Sequence, residues 1–160
     1  MFRGRLTHAT LRLLDWLAPN PPDDVAEHLR TGRRGEEDAY FYLRRRGYTI
    51  IARNYRSPHH RGELDLVGWD QDVLCFIEVK TRTTRAVKPA EAAVDREKQT
   101  ELRLVAHDFL RQMGDPMPRL CQFRFDVVSV YYERGFERPS FELFQNAFPV
   151  AYNRGFARSH

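Results

Sequence analysis

"GELDLVGWDQDVLCFIEVKTR", residues 62–82, is the stretch that decides the fold, because it predicts two apolar β-strands joined by a tight turn. Side chains in a strand alternate between faces, so Glu63 and Asp65 share one face, and Glu78 and Lys80 share one face of theirs. A turn at DQDV sets Asp65 opposite Glu78 and Glu63 opposite Lys80. A register shifted by one residue would send Asp65 and Glu78 to opposite faces. The hairpin therefore predicts a carboxylate pair beside a lysine in one specific register.

Two carboxylates this close repel each other unless one takes a proton or a cation lies between them. Oxygen ligands suit a hard ion, so the pair predicts Mg²⁺ or Mn²⁺. Lys80 could then position an attacking water or stabilise charge on a phosphate. The alternative is an exposed hairpin face whose solvated charges include an incidental Glu–Lys pair.

Helices and strands predicted on both sides of the hairpin complete an α/β fold. Residues 31–46 follow a helical pattern that ends at a capping glycine, and residues 95–113 follow a second one. Further strands are predicted at 48–56 and 122–132, with an edge strand in PSFELFQNAF. The order of helix, three strands, helix and strand predicts a mixed β-sheet flanked by helices.

The chain ahead of this region predicts an N-terminal helical extension. The prolines of APNPPDD disfavour both helix and sheet, which predicts a linker. The predicted boundaries are 1–30 for the extension and its linker, 31–148 for the main domain and 149–160 for a tail. Apolar positions in MFRGRLTHATLRLLDWLA recur at helical spacing among arginines. Such a helix either packs on its own domain or docks on a partner or a membrane surface.

Residues on both predicted helices are directed toward the hairpin by their spacing. Glu36 shares a helix face with Ala39 and Leu43, which should contact the sheet. It therefore turns inward and needs a cation or a metal, unless it serves only the helix dipole. Lys98 interrupts the apolar row of the second helix, with Gln99 beside it. The lysine either reaches the acids or a phosphate, or it extends along the edge of the row.

Composition limits the class of protein. With 160 residues, 42% of them hydrophobic and 12% aromatic, the chain can bury the core of one domain and is not a disordered sequence. The net charge of +4, in which arginine dominates, favours an anionic partner or reflects composition alone. Cys75 and Cys121 lie in apolar strands without a partner motif, which predicts core thiols. No membrane span or secretory signal is recognisable, which predicts a cytoplasmic protein.

Five stretches, in order, carry a family resemblance: GRRGEEDAYFYLRRRGYTIIARNYR, the hairpin itself, EAAVDREKQTEL, FRFDVVSV and NAF. With these motifs, which cover most of residues 32–148, the chain resembles the YraN-type family of uncharacterised bacterial proteins. That resemblance implies the restriction-endonuclease-like (PD-(D/E)XK) fold and a distant similarity to archaeal Holliday junction resolvases. Leu64 stands where the superfamily pattern has proline, and leucine fits a strand at that position.

The resemblance implies a catalytic core of Asp65, Glu78 and Lys80. It also matches Glu36 to the acid that resolvase-like members carry on the first helix, so that Glu36, Asp65 and Glu78 would bind Mg²⁺ or Mn²⁺. The implied activity is a metal-dependent DNA endonuclease, a structure-selective or nicking phosphodiesterase. Junction cleavage needs two active sites, which by analogy implies a homodimer.

The remaining candidates surround this core. Accessory roles are predicted for Glu63, Lys98 and Gln99. Contacts with the DNA backbone are predicted for the arginines that flank the site in sequence: Arg45, Arg46, Arg53, Arg56, Arg61 and Arg82. Two alternatives assign no cleavage activity. One is a non-catalytic module that binds branched or single-stranded nucleic acid, and the other is an interaction protein that docks through its N-terminal helix.

Overall fold

The computed structural model describes residues 23–82, 94–114, 122–132 and 138–150, with side chains from Arg30 onward. Its elements, in chain order, are helix α1 (Asp23–Arg45), strands β1 (Thr49–Arg56), β2 (Glu63–Asp70) and β3 (Val73–Arg82), helix α2 (Arg96–Gln112), and strands β4 (Gln122–Tyr131) and β5 (Ser140–Phe148). The predicted α/β class is confirmed. The predicted N-terminal helix, Cys121 and most of the predicted tail lie outside the described residues.

The strands form one mixed sheet in the order β1-β2-β3-β4-β5. Strands β3 and β4 are parallel, whereas every other neighbouring pair is antiparallel. A parallel pair needs a crossover connection, and α2 lies between β3 and β4 in the chain. The predicted edge strand is confirmed as β5, so β1 and β5 are the two edges.

Helices cover both faces of the sheet, which gives two hydrophobic cores. The α2-side core comprises Leu64, Val67, Leu74, Phe76, Val94, Leu102, Val105, Ala106, Leu110, Phe125, Val127 and Phe148. The α1-side core comprises Ala39, Leu43, Tyr48, Leu66, Cys75, Ile77, Val128 and Val130. Because β2, β3 and β4 contribute to both cores, these central strands are apolar on both faces, which explains their nearly continuous apolar sequence.

Helix α1 ends where the sequence predicted but begins earlier. At its end, Gly47 takes φ +94, and the amide N–H groups of Gly47 and Tyr48 donate to the carbonyls of Arg44 and Leu43 at 3.2 and 3.1 Å. This is a Schellman cap. The predicted start at residue 31 was wrong, since the helix begins at Asp23. Prolines are tolerated just before and within a first helical turn, so the linker motif disfavours helix only up to that point.

A polar network closes the end of the sheet that carries the hairpin turn. Arg124 donates to Asp126 Oδ1 at 2.9 Å, to Asp70 Oδ2 at 2.6 Å and to the Tyr48 hydroxyl at 2.9 Å. Gln145 donates to the same hydroxyl at 2.9 Å. Burial is the main reason that the pKa of Tyr48 rises to about 12. Asp126 is fully buried, and this network supplies the partners that a buried carboxylate requires.

Two further expectations concern the class of protein. Cys75 is a fully buried free thiol, as predicted, and burial raises its pKa to about 12. Among the described helices, none has the length and apolar character needed to cross a lipid bilayer.

Close packing of α1 on β3 gives a prediction about stability. A Cβ at Gly35 would lie well inside van der Waals contact of Thr81 Oγ1 and 3.2 Å from Thr81 Cβ. Rotation of Thr81 about χ1 can move its Oγ1 but leaves its Cβ at 3.2 Å, so the helix or the strand must still shift. We expect Gly35→Ala to lower the free energy of unfolding by about 1–3 kcal/mol, measured by urea denaturation.

The same helix supplies the control. No described atom lies within 4 Å of a Cβ at Gly32, so Gly32→Ala should raise the free energy of unfolding by about 0.5–1 kcal/mol. Equal effects of the two substitutions would contradict the close approach of α1 to Thr81.

Candidate active site

The β2–β3 hairpin has the register that its turn predicts. Gln71 occupies the two-residue turn with φ +52, in the left-handed region that a tight hairpin turn requires. The ladder runs from the turn as far as Leu66 and Ile77. In this register Asp65 and Glu78 are the next residues along the two strands, and the ladder ends before them.

Asp65 and Glu78 therefore lie where β2 leaves β3, while β3 continues along β4 as far as Arg82. Both residues are buried, with 8% of Asp65 and 5% of Glu78 exposed. Asp65 Oδ2 accepts a hydrogen bond from the Val79 backbone N–H at 2.7 Å. Beyond the last ladder pair that N–H would otherwise lack a partner, so the side chain replaces a missing ladder bond.

The two carboxylates influence each other. Burial and, next, the negative charge of Glu78 raise the pKa of Asp65 to about 7, and the charge of Glu36 acts in the same direction. The Val79 N–H and the charge of Lys98 act in the opposite direction. The buried pair therefore favours a proton or a cation at neutral pH, as the sequence predicts for two close carboxylates.

Two ammonium groups lie beside Glu78. Lys80 Nζ is 2.8 Å from Glu78 Oε1, and Lys98 Nζ is 3.7 Å from the same oxygen. Lys98 is placed by the first turn of α2, where Asp95 is the N-cap and accepts from the Lys98 N–H at 2.8 Å. The helix and the hairpin thus bring both lysines to one carboxylate.

The second oxygen of Glu78 differs from the first. Glu78 Oε2 is buried and has no hydrogen-bond partner among the described residues. A buried carboxylate oxygen without a partner is costly, and a cation beside it would remove that cost. Within the described ranges, no three His, Cys, Asp or Glu side chains form a set of metal ligands. The donor set fits Mg²⁺ or Mn²⁺ rather than zinc, because Mg²⁺ keeps several waters and needs only one or two carboxylates.

Glu36 lies close enough to this pair for its charge to act on Asp65. The inward face predicted for α1 is confirmed, because Ala39 and Leu43 are fully buried and Glu36 is half-buried. Glu36 Oε2 accepts from the Asn54 side-chain amide at 2.7 Å. The sequence analysis assigned no role to Asn54, although asparagine is depleted in strands.

Glu63 differs from its predicted surroundings, and Gln99 is bonded within its own part of the chain. Glu63 was predicted opposite Lys80, and this is wrong because β2 has already left β3. It faces β1 instead, where it lies 2.8 Å from the Arg56 guanidinium. Gln99 uses both ends of its amide locally, donating to the Val94 carbonyl at 2.9 Å and accepting from Arg103 at 3.2 Å.

The candidate arginines have unequal surroundings. Arg45 and Arg61 are exposed, as is Arg46, whose guanidinium lies 5.6 Å from the Tyr42 ring centre. Arg53 is exposed and lies 4.7 Å from the ring centre of Tyr40.

Two further candidates are more constrained. Arg56 is paired with Glu63 at 2.8 Å. Arg82 is half-buried, and its Nε has no hydrogen-bond partner among the described residues. Of the candidate arginines, Arg53 lies next in sequence to Asn54, which contacts Glu36.

Comparison with known proteins identifies relatives that span most of the chain. The sequence profile of the uncharacterised protein family UPF0102 matches residues 35–130. A UPF0102 protein of Koribacter versatilis is 53% identical over 142 residues, which are 89% of this chain and 94% of that protein. A UPF0102 protein of Solibacter usitatus is 44% identical over 117 residues, 73% of this chain and 84% of that protein. The UPF0102 protein CT2262 of Chlorobaculum tepidum is 38% identical over 123 residues, 74% of this chain and 92% of that protein.

Proposed function

Because the chain belongs to the uncharacterised protein family UPF0102, the YraN-type family, we propose a function from its site: a metal-dependent DNA endonuclease that nicks branched or otherwise non-duplex DNA. The observation that carries the proposal is Glu78 Oε2, which is buried beside Asp65 and lacks a hydrogen-bond partner within the described part of the chain. A hairpin face that carried only solvated charges would be exposed, whereas these two carboxylates are buried. Two close buried acids oppose folding, so a functional role explains them better than a structural one.

Asp65 and Glu78 would hold Mg²⁺ or Mn²⁺, and Glu36, whose Oε2 accepts from Asn54, would act from outside that pair. When bound, the ion supplies Lewis acidity at a scissile phosphate. Lys80, fixed by its 2.8 Å contact with Glu78, would donate a hydrogen bond to the attacking water and orient it. Lys98 adds a second positive charge, which would stabilise the negative charge that develops on the phosphate.

The substrate class follows from charge. The net charge of +4 and the exposed arginines Arg45, Arg46, Arg53 and Arg61 suit a phosphate backbone. Arg56 contributes less to this surface because Glu63 neutralises it. Cleavage of branched DNA by two symmetric sites would require a homodimer, and such an enzyme would act in the cytoplasm, where bacterial DNA lies.

One observation favours the alternative of a non-catalytic nucleic-acid-binding module. Glu36 is not gathered with Asp65 and Glu78 into a set of three metal ligands. A module without metal would nevertheless hold buried acids against phosphates, which repels nucleic acid. The endonuclease is therefore the better-supported function.

The test is cleavage of labelled four-way junction, flap, single-stranded and linear duplex DNA with Mn²⁺, with Mg²⁺ and with EDTA. We expect nicks in at least one non-duplex substrate with either metal and none with EDTA. Binding that is indifferent to metal, together with intact DNA in every reaction, would support the module and reject the enzyme.

A further inference from the structure

Asn54 has an unusual backbone conformation for a residue inside a strand. Its φ is +49, in the left-handed region, although it lies within β1. Non-glycine residues seldom adopt this conformation, which costs on the order of 1–2 kcal/mol, and asparagine tolerates it better than most. Residues held in such conformations cluster at functional sites, where their surroundings compensate for the cost.

The conformation coincides with a change of face in two strands at once. Ala52 and Tyr55 both pack against the α2-side core, although residues three apart in a regular strand point to opposite faces. In β2, Leu64 and Val67 are also three residues apart and also lie in the α2-side core. Both strands therefore rotate within these three-residue intervals, and Asn54 has the positive φ in this part of β1, which also carries a register shift between Ile50 and Ala52.

The register places Asp65 across from this point. Arg53 pairs with Leu66 and Tyr55 pairs with Leu64, so Asn54 and Asp65 face each other between those two pairs. The rotation of β2 thus includes Asp65 itself, whose carboxylate bonds to Val79 of β3.

The side chain of Asn54 connects this rotation to α1. Its amide nitrogen donates to Glu36 Oε2 at 2.7 Å, and a carboxylate can only accept, so the orientation of the amide is fixed. The charge of Glu36 acts on Asp65. Glu36 is half-buried and Asn54 is exposed, so this hydrogen bond lies at the solvent side of the buried acids, where Asn54 is the donor to Glu36 in the described structure.

We propose that Asn54 is a positioning residue whose left-handed backbone and side-chain amide hold the Glu36 carboxylate beside Asp65 and so shape the ion site. This inference rests on the proposed function, because it assigns Glu36 an outer role at that site. Partners that orient the groups around a bound ion typically change metal affinity by about 10–100-fold when they are removed.

The first test compares two glycine substitutions. Asn54→Gly keeps the left-handed conformation and removes the amide, and Asn146→Gly is the matched control, because Asn146 has φ +53 on β5. We expect Asn54→Gly to weaken Mn²⁺ binding, measured by calorimetry without DNA, by about tenfold or more. Asn146→Gly should leave the Kd within about twofold. Wild-type affinity in Asn54→Gly, or an equal loss in both variants, would overturn the proposal.

The second test needs no metal. The side-chain amide NMR signals of Asn54 should shift in Glu36→Gln and stay in place in Glu37→Gln, since Glu37 is an exposed neighbour. Signals unmoved by Glu36→Gln would overturn the proposal. A wild-type protein that binds no Mn²⁺ would instead reject the proposed function, and the amide signals would still decide whether Asn54 holds Glu36.

Discussion

Asp65→Asn is expected to abolish metal-dependent cleavage and, at the same time, to make the metal-free protein more stable at pH 8. Asparagine keeps the acceptor for the Val79 N–H but removes the negative charge that Glu78 opposes. The folded-state pKa of Asp65 is raised to about 7, mainly by burial. An aspartate in the unfolded chain has a pKa of about 3.9.

The sign of the pH dependence follows from these two pKa values. Between pH 4 and pH 7 the folded protein retains a proton on Asp65 that the unfolded chain releases, so the free energy of unfolding falls as pH rises through that window. Above pH 7 the free energy of unfolding has fallen by its full amount. Asp65→Asn removes this pH-dependent decrease, so the free energy of unfolding of the variant should exceed that of the wild type by on the order of 2–4 kcal/mol at pH 8 and by little at pH 4.

Urea denaturation at the two pH values measures this difference, with Asp72→Asn as the control because Asp72 is exposed in the turn of the same hairpin. The control should change stability by less than about 0.5 kcal/mol at either pH. A destabilised Asp65→Asn protein at pH 8 would show that the carboxylate is a structural group. A gain in stability together with lost cleavage is the trade-off expected of a catalytic acid.

Lys80→Met is expected to reduce cleavage by about 10²–10³-fold while DNA binding in EDTA stays unchanged. Methionine has a similar length but cannot donate to a water or carry charge. Lys80 Nζ lies 2.8 Å from Glu78 Oε1, so the substitution should also cost stability, by about 1–3 kcal/mol. Single-turnover cleavage at saturating Mn²⁺, with filter binding in parallel, separates the loss of chemistry from the loss of substrate.

Lys98→Met is the matched comparison for Lys80. Its ammonium is 3.7 Å from the same oxygen, beyond hydrogen-bonding distance, so the loss of cleavage should be nearer tenfold. Cleavage by Lys80→Met within threefold of wild type would remove Lys80 from the catalytic group. A larger loss in Lys98→Met than in Lys80→Met would exchange the two assignments.

The hairpin register could be predicted because its turn and its two-sided apolar pattern leave one arrangement that buries both strands. The placement of Asp65 beside Glu78 followed from that register, whereas Lys98 reaches Glu78 from α2. The position of Glu63 could not be predicted, because the end of a ladder depends on how strands twist apart, and alternation within one strand does not record it. Its actual partner, Arg56, lies on the opposite side of β2.

The surroundings of Glu36 show a second limit. Helical spacing correctly predicted that Glu36 faces inward, but spacing does not determine which group the carboxylate contacts. That group is Asn54, whose left-handed φ is a property of the folded sheet and has no periodic pattern in the sequence. The early start of α1 was missed for a related reason, since prolines mark a boundary without showing on which side the helix begins.

The most direct measurement is a crystal structure of the protein soaked in Mn²⁺, with anomalous data collected to locate the ion. We predict a peak at the carboxylates of Asp65 and Glu78, and we expect Glu78 Oε2 to be among the oxygens that hold the ion. A saturating soak that leaves this oxygen unligated, or that places the ion elsewhere, would contradict a metal-dependent site.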